Sequence, residues 1–472
     1  MNIAIEDFWQ DLHSQYNLNH EAIPFHFEDY VKKNLNEIRP KSGKTAHGIY
    51  PYSGRILPYI PLFLLSIKAL CPPQGKVLDP FAGSGTILLE SLINPYYKRD
   101  AIGIEINPIG RLISKVKTTP LNQDIVNQKK EQIIREFHTI PSHSLVIPKT
   151  QQYVFWYSEK GLEELTKLKI CINNLENDDY KDFFWLNFSF LARKISKADP
   201  YIPPAVLLKP HKYANSPDKI NKINDAMKNS ENPDLINYFS ELVDKNSKKI
   251  EYLNNFPEIK EQEKTAKIVW DDARQMRIGQ YDCAGKLSKL KSKRIRKNSI
   301  DLIITSPPYL TAQKYIRTSM LEILWLEDIL EEKRIDLEKH SIGTESVSFN
   351  SVCFQEIGIH EVDELIKKTL SISKQRAAEV FQYFKDMKNV IEEMHWVLKK
   401  GAFAVLIVGN NKVAGETIET YRLLQQIGEN CGFVTELILK DPIRTRGMIT
   451  KRHGNGGLIK DEYVLVLKKG KN

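Results

Sequence analysis

The residues best suited to chemistry in this chain are Thr305-Ser306-Pro307-Pro308-Tyr309, which follow the apolar run IDLIIT. That run reads as a buried strand. Each proline fixes its own φ and pushes the residue before it out of the helical region. Ser306 and Pro307 are therefore both held extended, and the Ser306 hydroxyl and the Pro307 carbonyl point the same way before any ligand arrives. Two acceptors on a rigid backbone suit an amino group with two hydrogens, and Tyr309 adds a flat face on which a base can stack. An exocyclic amine of cytosine or adenine is a poor nucleophile, because its lone pair is delocalised into the ring. Accepting both N–H groups favours a pyramidal nitrogen and localises that pair, which is catalysis by positioning and electrostatic preorganisation.

A second constellation lies more than two hundred residues upstream. VLDPFAGSGT (77–86) is a strand running into a small-residue turn and then a helix from Thr86. Gly83 and Gly85 permit positive φ and close approach of the backbone to a ligand. The turn lacks G-K-[ST], so it is no phosphate-cradling P-loop, and it does not match G-x-G-x-x-G although it occupies the same strand–turn–helix position. Glu105 follows about twenty positions later at the end of the next strand, where a carboxylate accepts both hydroxyls of a ribose. Asp272, at the tip of KIVWDDAR, stands at a third strand end and suits the exocyclic amine of a purine; Asp271 is its near-equivalent neighbour. A lone glycine turn or a lone Pro-Pro pair is ordinary punctuation. On one sheet edge, the two read as a nucleoside site beside an amine-activating corner.

The elements that must position these groups are strand–helix alternations in three separate pieces of chain: 76–107, 266–309 and 396–469. Short β-branched runs between helical segments predict a mostly parallel sheet covered on both faces. Residues 120–265 are polar and mostly of helical period, and 327–375 are charged and poorly periodic. Loops of such length do not sit inside a compact domain, so both read as inserted modules. The expected organisation is an N-terminal extension (1–45), a cofactor part (46–119), a mainly helical insert (120–265), a catalytic part (266–326), a variable insert (327–375) and a C-terminal part (376–472). Either insert is a candidate for target recognition.

The 472 residues include 42% hydrophobic and 10% aromatic side chains, enough for a sizeable core, and a net charge of +9 agrees with a polyanionic partner. The five cysteines, at 71, 171, 283, 353 and 431, are scattered, which argues for a reducing compartment and against a disulfide framework or a zinc site. The N-terminal stretch carries acids early and has no apolar core of a signal peptide. Residues 56–71 contain two prolines and a lysine and are too short to span a bilayer. The expectation is a soluble cytoplasmic protein with no metal.

DPFAGSGT and TSPPY resemble the cofactor and catalytic motifs of the S-adenosylmethionine-dependent DNA amino-methyltransferases. HGIYPYSGRILPYIPLFLL (47–65) is similar to the family segment that closes over the methionine part of the cofactor. TSPPYLTAQKYIRTSMLEILWLE (305–327) is similar to the longer motif of the cytosine-N4 members, and LKKGAFAVLIVGNNKVAG (398–415) to the strand and turn after the catalytic one. The resemblance implies an α/β fold with a Rossmann-like seven-stranded methyltransferase sheet, mostly parallel with the last strand antiparallel, carrying inserted, mainly helical modules. It implies that Ser306, Pro307, Pro308 and Tyr309 are catalytic, and that S-adenosyl-L-methionine is held by Tyr50, Asp79, Phe81, Ala82, Gly83, Ser84, Gly85, Thr86, Glu105, Asn107 and Asp272. Serine at the head of the catalytic motif implies methylation of cytosine N4 in double-stranded DNA, in a prokaryotic restriction–modification setting with a cognate endonuclease. Adenine-N6 methylation on the same scaffold is the neighbouring reading; an RNA amine methyltransferase and a non-catalytic DNA-binding subunit are further ones. The chain has no Pro-Cys nucleophile, which removes ring-carbon methylation.

DNA must then lie over the carboxyl edge of the sheet. DPIRTRGMITKRHGNGG (441–457) joins a parallel strand to the final antiparallel one and loops over that edge, so Arg444, Arg446, Lys451 and Arg452 are the expected phosphate contacts. Arg193, Lys194, Lys197, Lys209 and Lys212 in the long insert, and HSIGTESVS (340–348) in the second, are further candidates. The run KLSKLKSKRIRK (286–297) carries seven basic residues but precedes the catalytic strand and belongs at the opposite edge, as a solvated loop.

Overall fold

A computed structural model describes residues 2–35, 45–277, 295–310, 315–330, 332–413, 415–444 and 460–470. Its strands, in chain order, are β1 (Ile23–Pro24), β2 (Val77–Asp79), β3 (Ala101–Ile104), β4 (Ala266–Trp270), β5 (Ile300–Thr305), β6 (Leu398–Gly409), β7 (Asn411–Val413), β8 (Glu416–Ile418), β9 (Phe433–Pro442) and β10 (Asp461–Lys469). Eight of them form one sheet in the order β1-β9-β10-β6-β5-β2-β3-β4, and β7 and β8 form a separate hairpin. All pairs in the large sheet are parallel except those of β10, which runs antiparallel to both β6 and β9. The chain builds outward from β2 through β3 to β4 and then returns to lay β5 against the other side of β2. That reversal of strand order opens a crevice at the carboxyl ends of β2 and β5, where ligands bind in open α/β sheets.

The central strands are short and apolar because both their faces are covered. Val77, Leu78, Leu302, Ile303, Ile304, Val405, Leu406 and Val464 are all fully buried. The helix Thr86–Ile93 is buried along its whole length, because it lies between the sheet and a second core. That second core belongs to the long insert, whose helices include Glu159–Asn173, Asp179–Lys194 and Leu235–Glu251. Phe183, Phe184, Phe188 and Phe239 fill it, and it also takes in Trp325 from the helix Met320–Leu330 that follows the Ser306–Tyr309 corner.

The sheet departs from the expected seven strands. Residues 2–35 are built into it: Ile23–Pro24 pairs in parallel with Leu439 and Lys440 of β9, adding an eighth strand at that edge. The helix Asn2–Asn19 packs on β9 through buried Trp9, Leu12 and Tyr16. Phe27 is fully buried, edge-on to Phe25 at 4.6 Å and to Phe63 at 5.4 Å, so an aromatic cluster fastens this segment to the helix Tyr59–Leu65. The alternation of polar and apolar residues in this segment gives a helix, but a two-residue strand leaves no periodic trace in a sequence. Among the described residues, no helix is long and apolar enough to cross a membrane.

If residues 2–35 are part of the sheet's folding unit, Phe27→Ala destabilises the whole chain by about 3–5 kcal/mol. Denaturant unfolding followed by tryptophan fluorescence checks this. An independent appendage would leave the main transition unmoved.

Candidate active site

The two stretches singled out by their chemistry end on adjacent strands. Leu78 of β2 lies opposite Ile303 of β5, so Asp79 and Thr305 come side by side at the sheet edge. Thr305 Oγ1 donates to Asp79 Oδ1 at 2.7 Å, and the Phe81 N–H donates to the same oxygen at 3.1 Å. Both side chains are buried. Desolvation pushes the Asp79 carboxyl up to about 7, against the downward pull of its two hydrogen bonds, with nearby Glu105 adding to the rise. Asp79 is thus a brace between the two motifs rather than part of a ligand-facing wall.

The glycine turn is shaped by its backbone. Gly83 and Gly85 have φ of 51° and 71°, in the left-handed region, and Gly85 caps the helix that follows. The Gly83 N–H donates to Glu105 Oε2 at 2.6 Å, and the Asn107 N–H donates to Glu105 Oε1 at 2.8 Å. These bonds fix the carboxylate at the tip of β3; desolvation raises its pKa, and the two hydrogen bonds oppose that rise. Ser114 Oγ donates to the Gly83 carbonyl at 3.0 Å. A methyl group at Gly110 would come within 2.8 Å of that carbonyl and 2.9 Å of Glu105 Cγ, so the helix Pro108–Thr118 must carry a glycine there for the turn to seat. Ser84 is buried against Lys117 Nζ at 3.3 Å. Ala82, Gly85 and Thr86 form the buried or inner side of the turn, while Phe81 and Gly83 face outward.

One cavity joins the turn to the corner. Its walls include Phe81, Gly83, Glu105, Asp271 and Asp272 on one side, and Ser306, Pro308 and Tyr309 on the other. Asp272 is clamped by Arg274, with Nε at 2.9 Å from Oδ1 and Nη2 at 2.9 Å from Oδ2. Arg274 is in turn held by Asp386 and the His340 carbonyl. Pro307 is buried beneath the wall. The Pro308 carbonyl accepts from Tyr383 Oη at 3.0 Å, and the Tyr309 hydroxyl donates to Glu462 Oε1 at 3.1 Å. The corner is therefore braced from both sides by side chains, not only by its prolines.

Several placements differ from the expectations. Tyr50 turns away from the cavity; its hydroxyl donates to Glu322 at 3.1 Å inside the helical module, and Tyr52 takes the place on the wall. Motif resemblance does not resolve which of these two tyrosines faces the cavity. Asn107 acts from behind: it caps the helix Pro108–Thr118 and its Nδ2 donates to Tyr52 Oη and Ser319 Oγ, both at 3.2 Å. Arg193 is a structural residue, spent on the carbonyls of Thr318, Ile202 and Pro203. Lys194 lies over the Tyr238 ring at 3.7 Å. Arg444 is exposed and paired with Asp29 at 2.7 Å. Arg446, Lys451 and Arg452 lie outside the described residues, as does most of the basic run 286–297.

Sequence reasoning missed Tyr52, Arg55, Tyr315 and Glu462, which also line the cavity, and it gave His340–Ile342 only as a loop beside it. Glu462 had a legible signal. It opens a final antiparallel strand, and the start of such a strand lies at the same edge as the ends of the parallel ones. Arg55 donates to the His47 carbonyl and brings a positive charge to a cavity rich in carboxylates.

No family model matches the chain. Among curated proteins it is similar to the Type II methyltransferase M.MvaI of Kocuria varians, 25% identical over 435 residues that cover 85% of this chain and 86% of that protein. The similarity is to a methyltransferase over nearly its full length. Shorter matches are to the Type II methyltransferases M.MjaII of Methanocaldococcus jannaschii, 28% identical over 182 residues, and M.AvaI of Nostoc sp., 29% identical over 156 residues. The first covers 36% and the second 30% of this chain, and each covers 32% of the relative.

The brace has a pH dependence. A carboxyl that titrates near its ordinary 3.8 when unfolded and near 7 when folded binds its proton more tightly in the folded chain. The stability it contributes is full below the unfolded value and is lost as pH rises toward 7. Asp79→Asn keeps an acceptor for Thr305 and Phe81 but no longer titrates. Denaturant midpoints between pH 5 and pH 7.5 should therefore fall less in this variant than in the wild type; parallel declines would contradict the assignment.

Proposed function

We propose that this chain is a site-specific DNA methyltransferase that transfers the methyl group of S-adenosylmethionine to N4 of cytosine in double-stranded DNA. The observation that carries the reading is the single cavity shared by the glycine turn with its strand-end carboxylates and the Ser306–Tyr309 corner. Its donor set fits the cofactor. Glu105 suits the ribose hydroxyls, Asp272 or Asp271 the adenine amine, Phe81 and Ile106 its apolar surroundings, and Arg55 the carboxylate of the amino-acid part. The carboxylates of the wall also favour a cationic sulfonium. When bound, the cofactor supplies an electrophilic methyl group.

The chain's own residues act on the amine. Ser306 and the Pro307 carbonyl accept its N–H groups and localise the nitrogen lone pair, with no covalent enzyme intermediate. Tyr309 and Pro308 provide flat walls for the base. A base inside a duplex hides its amino group, so the target must be turned out into the cavity. Ser306 at the head of the motif supports cytosine N4 as the acceptor. Similarity to Type II methyltransferases supports a restriction–modification role with a cognate endonuclease, on DNA in a prokaryotic cytoplasm. Arg444, with Arg446, Lys451 and Arg452, is the proposed phosphate contact.

Ser306→Ala should bind cofactor as the wild type does and transfer methyl on the order of 10²-fold more slowly. Glu105→Ala should instead lose cofactor affinity. Radiolabel transfer to plasmid, with cofactor affinity from calorimetry, separates the two. A long-read modification map of DNA from cells expressing the protein should show N4-methylcytosine within one short sequence. Modified adenine there would overturn the base assignment, and a full-rate Ser306→Ala would overturn the acceptor role.

A further inference from the structure

A second cleft opens beside the cavity of the Ser306–Tyr309 corner. It lies between the helix Tyr315–Thr318 and the segment that runs from the helix Arg334–His340 to Ser346, and its volume is about 220 Å³. Tyr315, Ser341 and Ile342 line both hollows, so a single layer of side chains separates them. Arg317, Glu338, Thr344 and Glu345 also line the cleft, and none of them belongs to the first cavity.

The segment that forms the cleft is fastened to the walls of the first cavity. Arg274, which clamps Asp272, donates from Nη2 to the His340 carbonyl at 3.0 Å. Gly343 has φ of 76° and packs on the corner itself: a methyl group there would come within 3.3 Å of the Tyr309 carbonyl. On the other side, the Tyr309 N–H donates to Tyr315 Oη at 3.4 Å. The turn beyond is held as well, because the Ser346 N–H donates to Thr344 Oγ1 at 3.1 Å and Gln375 Nε2 to the Val347 carbonyl at 2.6 Å. The cleft is therefore positioned against the corner before any ligand arrives, as a reader of sequence must be.

The side chains of the cleft favour one kind of occupant. Glu338 is paired with Arg334 at 2.5 Å, and Glu345 lies 4.0 Å from Arg376. Arg317 is exposed, and among the described residues no hydrogen bond or ion pair engages its guanidinium. A phosphate placed here would sit beside two carboxylates. The edge of a base pair carries acceptors and donors together, and it meets the guanidinium, the hydroxyls and the carboxylates without that repulsion. A planar fork of N–H donors matches O6 and N7 of guanine, and a carboxylate accepts from N4 of the paired cytosine.

We propose that this cleft reads a G·C pair beside the target base, with Arg317 as the specificity-determining residue on the guanine. The inference rests on the DNA-methyltransferase reading but not on which base accepts the methyl group. The test measures single-turnover methylation by the full chain at subsaturating enzyme. The duplexes carry the wild-type recognition sequence, taken from its modification map, or the same sequence with each pair beside the target replaced in turn. Each selectivity is a ratio of two rates from one preparation, so a partly inactive sample does not alter it. Arg317→Ala should slow the cognate duplex and spare the duplex altered at one G·C pair, so that selectivity falls about tenfold or more at that position and at no other. Arg317→Lys keeps the charge but not the fork, and should behave as Arg317→Ala does.

A loss equal on every duplex and restored by lysine would mark a phosphate contact and overturn the inference. Unchanged ratios would overturn it too, as would a wild-type recognition sequence with no G·C pair beside the target. A wild type that methylates no DNA overturns the proposed function and this inference with it, whereas an active wild type with any of the preceding results overturns the inference alone.

Discussion

The hydrogen bond from Thr305 to Asp79, between residues 226 positions apart, is the contact on which the rest of the site depends. It exists because β5 returns to lie against β2, and it joins the first residue before the glycine turn to the last before the Pro-Pro corner. With it in place, the glycine turn with its strand-end carboxylates and the Pro-Pro corner face one cavity. The bond is short and buried, and it is made to a carboxyl whose pKa desolvation raises. Water therefore does not compete for it, and the protein interior makes its loss costly.

The corner is held from the helical module as well as from the sheet. The segment after it is gripped through its backbone: Arg193 donates to the Thr318 carbonyl at 3.2 Å, Tyr153 to Leu324 at 2.7 Å, and Lys169 to Trp325 at 2.8 Å. Trp325 itself is packed edge-on among Tyr153, Tyr157 and Phe188. An insert that reads in sequence as a separate recognition module thus supports the segment that follows the corner. Its basic residues near the junction are consumed by that support, which is why Arg193 is not available to a phosphate.

The parallel sheet, its central strands and the pairing of the two motifs were legible because each rests on local chemistry. Apolar β-branched runs mark β5 and β6, small residues mark the turn, and prolines mark the corner. The facing of single side chains was less legible. Tyr50 and Tyr52 lie two residues apart, and both look equally suited to a cofactor wall. Asn107 and Asp79 have the right type and position but act on neighbouring protein groups instead of the cavity. Tyr315, Arg55 and Glu462 come from segments whose approach is set by packing between distant elements, which no local pattern encodes. The eighth strand was invisible for a simpler reason: two residues carry no period.

The central claim is that the cavity methylates an exocyclic amine of a DNA base. The purified chain, incubated with isotopically labelled S-adenosylmethionine and unmodified plasmid, followed by digestion to nucleosides and mass spectrometry, tests it most directly. The account predicts label in N4-methyldeoxycytidine alone. Label in N6-methyldeoxyadenosine would contradict the choice of base, and no labelled nucleoside at all would contradict the account.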